Sequence, residues 1–229
     1  MYKNDAVHSN IIPVRSDAIV PKIKPICKAS LFYVYSKTDI EQNRGTIMIV
    51  LISGGSGTGK TTLMKGLKEK LSGEFVRSYM TRAKRASETD EDGFFVTKEE
   101  LEGMKDLMWS DEIHDNFYAF ALQDFKRAVY KRKMAIAILH PNRHVSARRL
   151  LSDVAPVIHI HLLKPSDEQL QRRLSNRNIS KEELQKRLQD SEEFDRIAQD
   201  ETDIQIHFIK PSTKENVLQE VLDIIQKAK

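Results

Sequence analysis

One cysteine, Cys27, and one tryptophan, Trp109, are all that this 229-residue chain has of either. A single thiol cannot close an internal disulfide, so a reducing, cytoplasmic setting is expected. Long apolar runs are missing too. The longest, Ile47–Ile52, has strand length, far short of the ~18 residues that cross a bilayer, so no membrane association is expected. A strong charge of one sign is also lacking: 37 Lys and Arg face 33 Asp and Glu, for a net +4. Residues 1–46 carry seven of the basic and four of the acidic side chains, which leaves 30 against 29 in the rest. A body so near neutrality has no concentrated basic face, and no nucleic-acid partner is expected.

Residues 1–46 differ in texture from the rest of the chain. Pro13, Pro21 and Pro25 interrupt them, and no helical period survives between the prolines. Leu31–Tyr35 is apolar and aromatic enough to pair as an edge strand. The apolar part is too short and too late for a signal peptide, and four acids with few arginines do not suit a transit peptide. The segment is expected to be a poorly ordered or upstream extension, with residues 47–229 forming the domain and Met48 a candidate start.

From Ile47 onward strands and helices alternate. Ile47–Ser53 is continuously apolar, as a buried parallel strand is. Helical spacing comes next over Thr61–Leu71, where Leu63, Met64, Leu67 and Leu71 recur. Glu74–Thr81 reads as a second strand, Met134–Leu139 and Pro156–Leu163 as further buried strands, and Ile204–Ile209 as a short last one. Helices are predicted over Lys98–Lys105, Asp124–Lys131, His144–Leu151, Ser166–Ser175, Lys181–Ala198 and Lys214–Lys227. This order predicts an α/β fold: a doubly wound parallel sheet with helices on both faces.

Between the first strand and the first helix stands Gly54-Gly55-Ser56-Gly57-Thr58-Gly59-Lys60-Thr61, with Thr62 next. It fits G-x-x-x-x-G-K-[ST] in the strand–loop–helix context that gives the pattern its meaning. Glycines let backbone N–H groups curl around phosphate oxygens, and the helix beyond aims its positive end at the same anion. Lys60 is placed to reach the β- and γ-phosphates of ATP, and the Thr61 hydroxyl to bind Mg²⁺. A glycine-rich turn without a ligand is the bland alternative, and eight matching residues in context speak against it.

Arg77-Ser78-Tyr79-Met80-Thr81-Arg82-Ala83-Lys84-Arg85-Ala86-Ser87-Glu88 resembles the S-Y-T-T-R-x-x-R-x-G-E segment of guanylate kinases. Gly93-Phe94-Phe95-Val96 falls where that family has D-Y-x-F-V, Trp109 where it has E-W, and Asn116-Phe117-Tyr118 where it has N-x-Y-G. Leu170–Arg177 is similar to the family's lid segment, and Lys186-Arg187-Leu188 to the K-R-L after it. The resemblance spans about residues 47–228. It implies a P-loop NTPase fold with a small lid and acceptor-binding insertion, and a magnesium-dependent kinase that phosphorylates a small phosphorylated acceptor. It also implies roles. Ser78, Arg82, Arg85 and Tyr118 would hold the acceptor phosphate, while Arg173, Arg177 and Arg187 would close over the transferring phosphoryl group. A guanidinium offers phosphate a rigid fork of donors and stays charged. By composition alone Arg82 and Arg85 would pass for two solvated arginines, and one of Arg172, Arg173 and Arg177 for a solvated helix face. A monomer or homodimer is expected.

The departures from that pattern gather at the acceptor base. Met108 stands where guanylate kinases carry an acid before the Trp, with Asp111 and Glu112 the nearby acids available to replace it. Ala119 and Phe120 stand where a hydroxyl is expected, Ile138 and His140 where a strand ends in D-x-D, and Phe94 where a phosphate-binding Tyr would be. His140-Pro141-Asn142-Arg143 is similar in part to the N-G-S-R of ribose 1,5-bisphosphate phosphokinases, which share the fold. It makes Arg143 a candidate acceptor contact and keeps a sugar phosphate as an alternative to a GMP-like nucleotide; His140 is a candidate by standing at the carboxyl end of a strand, where open α/β sheets bind ligands. Two rival functions are a non-catalytic guanylate kinase-like binding module and an NTPase with no small acceptor. Intact Lys60 and Thr61 argue against the first, and Arg82, Arg85 and the lid arginines against the second. His159 and His161 alternate on one face of a strand. With no Cys or acid at ligand spacing, a hydrogen-bonded pair is expected rather than a metal site.

Overall fold

The structure is a computed structural model that describes residues 47–71, 73–85, 88–113, 115–132, 134–175 and 179–228. The expectations for residues 1–46 and for Arg177 lie outside the described residues. Nine strands pair into two sheets among those described. The larger is fully parallel, in the order β2 (Glu74–Phe75), β7 (Met134–Ile138), β1 (Met48–Gly54), β8 (Val157–Leu162), β9 (Ile206–Ile209).

Every residue of β1 is buried, which is why its sequence is an unbroken apolar run instead of an alternating one. Alternation survives as a choice between two cores. Ile49 and Leu51 pack on one face with Phe125, Ala128 and Val129 of α3 (Leu122–Arg132) and with Ala147 and Leu151 of α4 (His144–Leu151). Met48, Val50 and Ile52 pack on the other with Leu63, Met64 and Leu67 of α1 (Lys60–Lys70) and with Val221 and Ile225 of α7 (Lys214–Lys227). Helices therefore cover both faces, as the element order predicts. Helix starts are capped locally: Thr97 and Glu100 form a capping box on α2 (Lys98–Glu102), and Ser180 and Thr213 cap α6 (Lys181–Asp200) and α7. The remaining helix, α5 (Asp167–Ser175), buries Leu170 and Leu174 against Leu188 of α6.

The single strand expected over Glu74–Thr81 is a correction. Residues 74–75 pair with β7 in the large sheet, whereas β3 (Tyr79–Met80) pairs with β4 (Phe94–Phe95) and β6 (Asn116–Ala121) in the small one. Both halves are extended and partly apolar, so periodicity does not reveal that the chain changes sheets between them. The second sheet is completed by β5 (Leu107–Ile113), antiparallel to β6. The β5–β6 turn holds Asp115 at φ 59°, a left-handed conformation that Asp tolerates. A bulge between Leu107 and Trp109 sets the phase of β5. Beyond it Trp109 and Asp111 are buried, while Ser110 and Glu112 face solvent. Among the described residues no helix is long and apolar enough to cross a membrane.

Candidate active site

The phosphate loop leaves β1 at Gly54 and enters α1 at Lys60. Gly54 has φ 135°, and a Cβ there would lie 2.5 Å from the Leu162 carbonyl oxygen, so both backbone and space require glycine. Gly57 and Gly59 are also left-handed. A Cβ on Gly59 would meet nothing within 4 Å, so the mouth of the loop is open and can take phosphate oxygens. Thr58 Oγ1 closes the loop by donating to the Gly55 carbonyl at 2.9 Å. Lys60 Nζ donates to the carbonyls of Gly54 and Gly55 at 2.7 and 2.6 Å, which holds its ammonium over the cradle. Thr61 and Thr62 are exposed at the first turn of α1.

One cavity of about 240 Å³ joins this loop to the small sheet. Gly54, Ser56 and Lys60 form its floor, Ser78, Arg85 and Tyr118 one wall, and Trp109, Phe120, Ile138 and Phe194 an apolar wall. Ser78, Arg85, Tyr118 and His140, anticipated from the sequence, are thus brought together. His140 lies edge-on to Phe194, with ring centroids 4.3 Å apart, and burial pushes its pKa down. A larger, shallower groove of about 590 Å³ lies near the far end of α1, among Lys68, Glu74, Arg77 and Lys131. Its cations have acids close by, in Lys68–Glu91 at 3.0 Å and Lys131–Glu74 at 3.8 Å, and no phosphate loop opens on it.

Arg82 and Arg85 differ in what they do. Arg82 makes a two-pronged pair with Glu88, Nη1 to Oε2 at 2.7 Å and Nη2 to Oε1 at 2.6 Å. Glu88 also accepts from the Arg85 backbone N–H at 2.9 Å. Burial pushes the Glu88 carboxyl up, but the Arg82 fork and the Arg85 N–H more than offset it and hold it below its ordinary range. Arg82 is therefore braced beside the cavity, and of the two it is Arg85 that lines it, as Arg187 also does. Burial, then the nearby charge of Arg82, pushes the Arg85 pKa down. Phe94 is a packing residue: it stacks on Tyr79 at 4.7 Å and carries the Arg77 guanidinium at 3.8 Å on its ring.

Two lid arginines reach the loop. Arg173 Nη1 donates to the Gly57 carbonyl at 3.1 Å, and Arg187 Nη1 to Ser56 Oγ at 3.0 Å. Arg172, beside Arg173, is exposed. Asp111, 8% exposed, also lines the cavity. Arg143 does not line the cavity. Its Nε donates to Asp111 Oδ1 at 2.6 Å and its Nη2 to the Ser110 carbonyl at 3.4 Å, so it holds the carboxylate from behind. Of the two acids near Met108, the bulge turns Asp111 inward and Glu112 outward. Asp190 and Phe194 of α6 also line the cavity. Nothing in their local sequence marks them, because only the packing of α6 brings them there. His159 and His161 are each hydrogen-bonded, though not to one another, and no cluster suited to a metal ion occurs among the described residues.

The chain is similar to known proteins over nearly all of its described residues. The family profile described as Guanylate kinase matches residues 46–228. A guanylate kinase of Campylobacter jejuni (strain RM1221) is 28% identical over 151 residues, covering 62% of this chain and 72% of that protein. One from Nostoc sp. (strain PCC 7120) is 30% identical over 164 residues, covering 69% and 80%. The crystal structure of guanylate kinase from Anaplasma phagocytophilum superposes with a TM-score of 0.55 at 20% identity, over 81% of this chain and 87% of that one, a likeness of fold.

Proposed function

Because this chain belongs to the guanylate kinase family and is an ATP-dependent kinase by that membership, we propose that it transfers the γ-phosphoryl group of ATP to the phosphate of GMP. The observation that carries the reading is one cavity lined both by the phosphate loop and by a buried, oriented carboxylate, Asp111. Guanine presents a ring N–H and an amino group side by side, and a carboxylate accepts from both. Two acids line the cavity, Asp111 and Asp190, and Asp111, on the strand that carries Trp109, takes the place that Met108 leaves empty. Trp109 and Phe120 supply apolar walls for a planar base.

The chain's own residues account for the chemistry by position and charge. Backbone N–H groups of residues 55–60 hold the ATP phosphates, and Lys60 neutralises charge at the γ-phosphoryl group. Ser78, Arg85 and Tyr118 hold the acceptor phosphate, and Arg82 keeps that wall in place through Glu88. The acceptor oxygen is already anionic, so no strong general base is needed. Arg173 and Arg187, already touching the loop, cover the transferring group and exclude water; the same role is proposed for Arg177. The open cradle suits a Mg²⁺ ion, which would be held by the Thr61 hydroxyl and would supply charge neutralisation at the phosphates; Ile138 and His140 provide no carboxylate at the end of β7.

The test is ADP release from ATP and Mg²⁺ with GMP, dGMP, IMP, AMP, CMP, UMP and ribose 1,5-bisphosphate as acceptors. GMP is expected to stimulate most, and IMP, which lacks the 2-amino group, less. Stimulation by ribose 1,5-bisphosphate alone would replace the nucleotide reading, and stimulation by none would remove the small-acceptor reading. Asp111→Asn keeps an oxygen for Arg143 Nε but loses the charge and one acceptor. It is expected to lower kcat/KM for GMP by ~10²-fold, with little change for ATP. Arg85→Ala is expected to raise the acceptor KM by about tenfold or more. Arg82→Ala should do likewise and also lower Tm, because Glu88 would keep its burial and lose its partner.

A further inference from the structure

The face of the large sheet that is apolar at Ile49, Leu51 and Val157 turns polar at its carboxyl end. There Ser53 pairs in register with His161, and Leu51 with His159. Ser53, His144, His159 and His161 are all 0% exposed, directly beneath the phosphate loop. They are joined in one line. His159 Nδ1 meets His144 Nδ1 at 2.8 Å, His144 Nε2 meets Ser53 Oγ at 2.6 Å, Ser53 Oγ meets His161 Nδ1 at 2.8 Å, and His161 Nε2 meets Asp195 Oδ1 at 2.9 Å.

The protons on this line can be assigned from one end. Asp195 accepts with both oxygens, the second from the Lys164 N–H at 2.9 Å, so it acts as a carboxylate. His161 must then donate from Nε2, which leaves Nδ1 as an acceptor for the Ser53 hydroxyl. The competing acceptor for that hydroxyl, the Ile160 carbonyl, is 3.5 Å away. Ser53 in turn accepts from His144 Nε2–H, and His144 Nδ1 accepts from His159 Nδ1–H. Every bond points toward Asp195, an arrangement in which each strengthens the next. The line ends at His159 Nε2, which is buried with no partner among the described residues. Burial, then the neighbouring imidazoles, pushes His144 down to about 3, and burial, then Arg148 and His207, pushes His159 down to about 4, so both are neutral at physiological pH.

Asp195 lies on the helix that reaches the loop. Arg187, Ser191 and Asp195 recur every four residues along one stripe of α6. Arg187 bonds Ser56 Oγ at 3.0 Å. Ser191 packs so closely that a Cβ on Gly55 would lie 2.2 Å from its Oγ. Asp195 is where that stripe is tied to the sheet. We propose that His161, between Ser53 and Asp195, is a positioning residue: the one-directional chain from His159 to Asp195 sets where α6 lies along the phosphate loop, and so sets the reach of Arg187 to the nucleotide. Purely apolar packing would allow the helix to slide, whereas a polarised chain fixes it at a single register.

Long-range ¹H–¹⁵N correlation spectra of the ¹⁵N-labelled full-length protein at pH 7 read the tautomers directly. His144 and His161 are expected to carry their proton on Nε2, and His159 on Nδ1. His161→Phe keeps a ring and breaks the chain; it is expected to raise the ATP KM and lower kcat, together by about tenfold or more. His161→Gln, whose amide can donate to Asp195 and accept from Ser53, is expected to recover activity to within about threefold of the unaltered protein. A proton on Nδ1 of His161 would overturn the proposal, as would a folded His161→Phe with ATP kinetics within about twofold of the unaltered protein. If His161→Phe does not fold, the tautomers and His161→Gln still decide. The kinetic arm rests on the kinase reading and the spectroscopic arm does not, so failure of one is distinguishable from failure of the other.

Discussion

Lys60→Ala is expected to lower kcat by ~10³-fold or more, with a smaller effect on the fold. Charge spread over the γ-phosphoryl oxygens is what phosphoryl transfer must stabilise, and a cation fixed in a preorganised cradle stabilises it without reorganisation at the moment of reaction. Lys60 is the cation nearest the bottom of that cradle. Its Nζ is fixed by two loop carbonyls at 2.7 and 2.6 Å. Arg173 and Arg187 approach from the rim, through Gly57 and Ser56, and do not reach the same position. The loop's shape is set by its glycines and by Thr58, so alanine removes the charge and leaves the backbone cradle in place. ADP release under saturating ATP and acceptor is the measurement. A variant retaining a tenth of the activity would show that phosphoryl transfer does not pass over this loop.

Acid is expected to destabilise the protein between about pH 6.5 and pH 4, earlier than its carboxylates alone would dictate. His144 and His159 are held neutral, with folded values of about 3 and about 4. In the unfolded chain each returns to about 6.5. As pH falls through that window the unfolded state takes up protons that the native state refuses. Stability is therefore full above pH 6.5 and declines below it, by roughly 1.4 kcal/mol per pH unit for each imidazole. By pH 4 the two together remove about 7 kcal/mol, a large part of a typical total of about 5–15 kcal/mol. Thermal melts at pH 7, 6, 5 and 4.5 read this directly: Tm should fall steeply below pH 6.5. A flat Tm between pH 7 and pH 5 would mean that these histidines are not buried neutral. The paired acid Glu88 behaves differently. Its depressed value keeps its contribution present above the unfolded carboxylate range and loses it only below, so the two effects separate on the pH axis.

These expectations draw on features of unequal legibility. The loop at Gly54–Thr61 is contiguous, and its chemistry comes from residue types at fixed spacing, so it could be read without a fold. Ser78, Arg82 and Arg85 lie within one short segment and were legible by resemblance. What that segment did not reveal was the division between its arginines, because Glu88 decides it by taking the fork of Arg82. Which acid of β5 lines the cavity was ambiguous for a geometric reason. A one-residue bulge at Met108 reverses which side chains of β5 point inward, and no periodicity rule locates such a bulge in advance. The switch of sheets between Phe75 and Tyr79 escaped for a related reason: both short strands satisfy the same local preference for extended backbone.

Though it did not mark β4, β5 and β6 as strands, the sequence by itself determined the order of strands and helices around the large parallel sheet, its two covered faces and the phosphate loop. Each depends on neighbours along the chain: apolar periodicity, caps, and glycines beside a lysine. Tertiary structure alone decided that Asp111 lines the cavity, that Arg143 pairs with it, and that Ser53, His144, His159, His161 and Asp195 form one line. Those side chains come from β1, α4, β8 and α6, and what each of them does is set by hydrogen-bond distances of a few ångströms that exist only once the sheet and helices have packed.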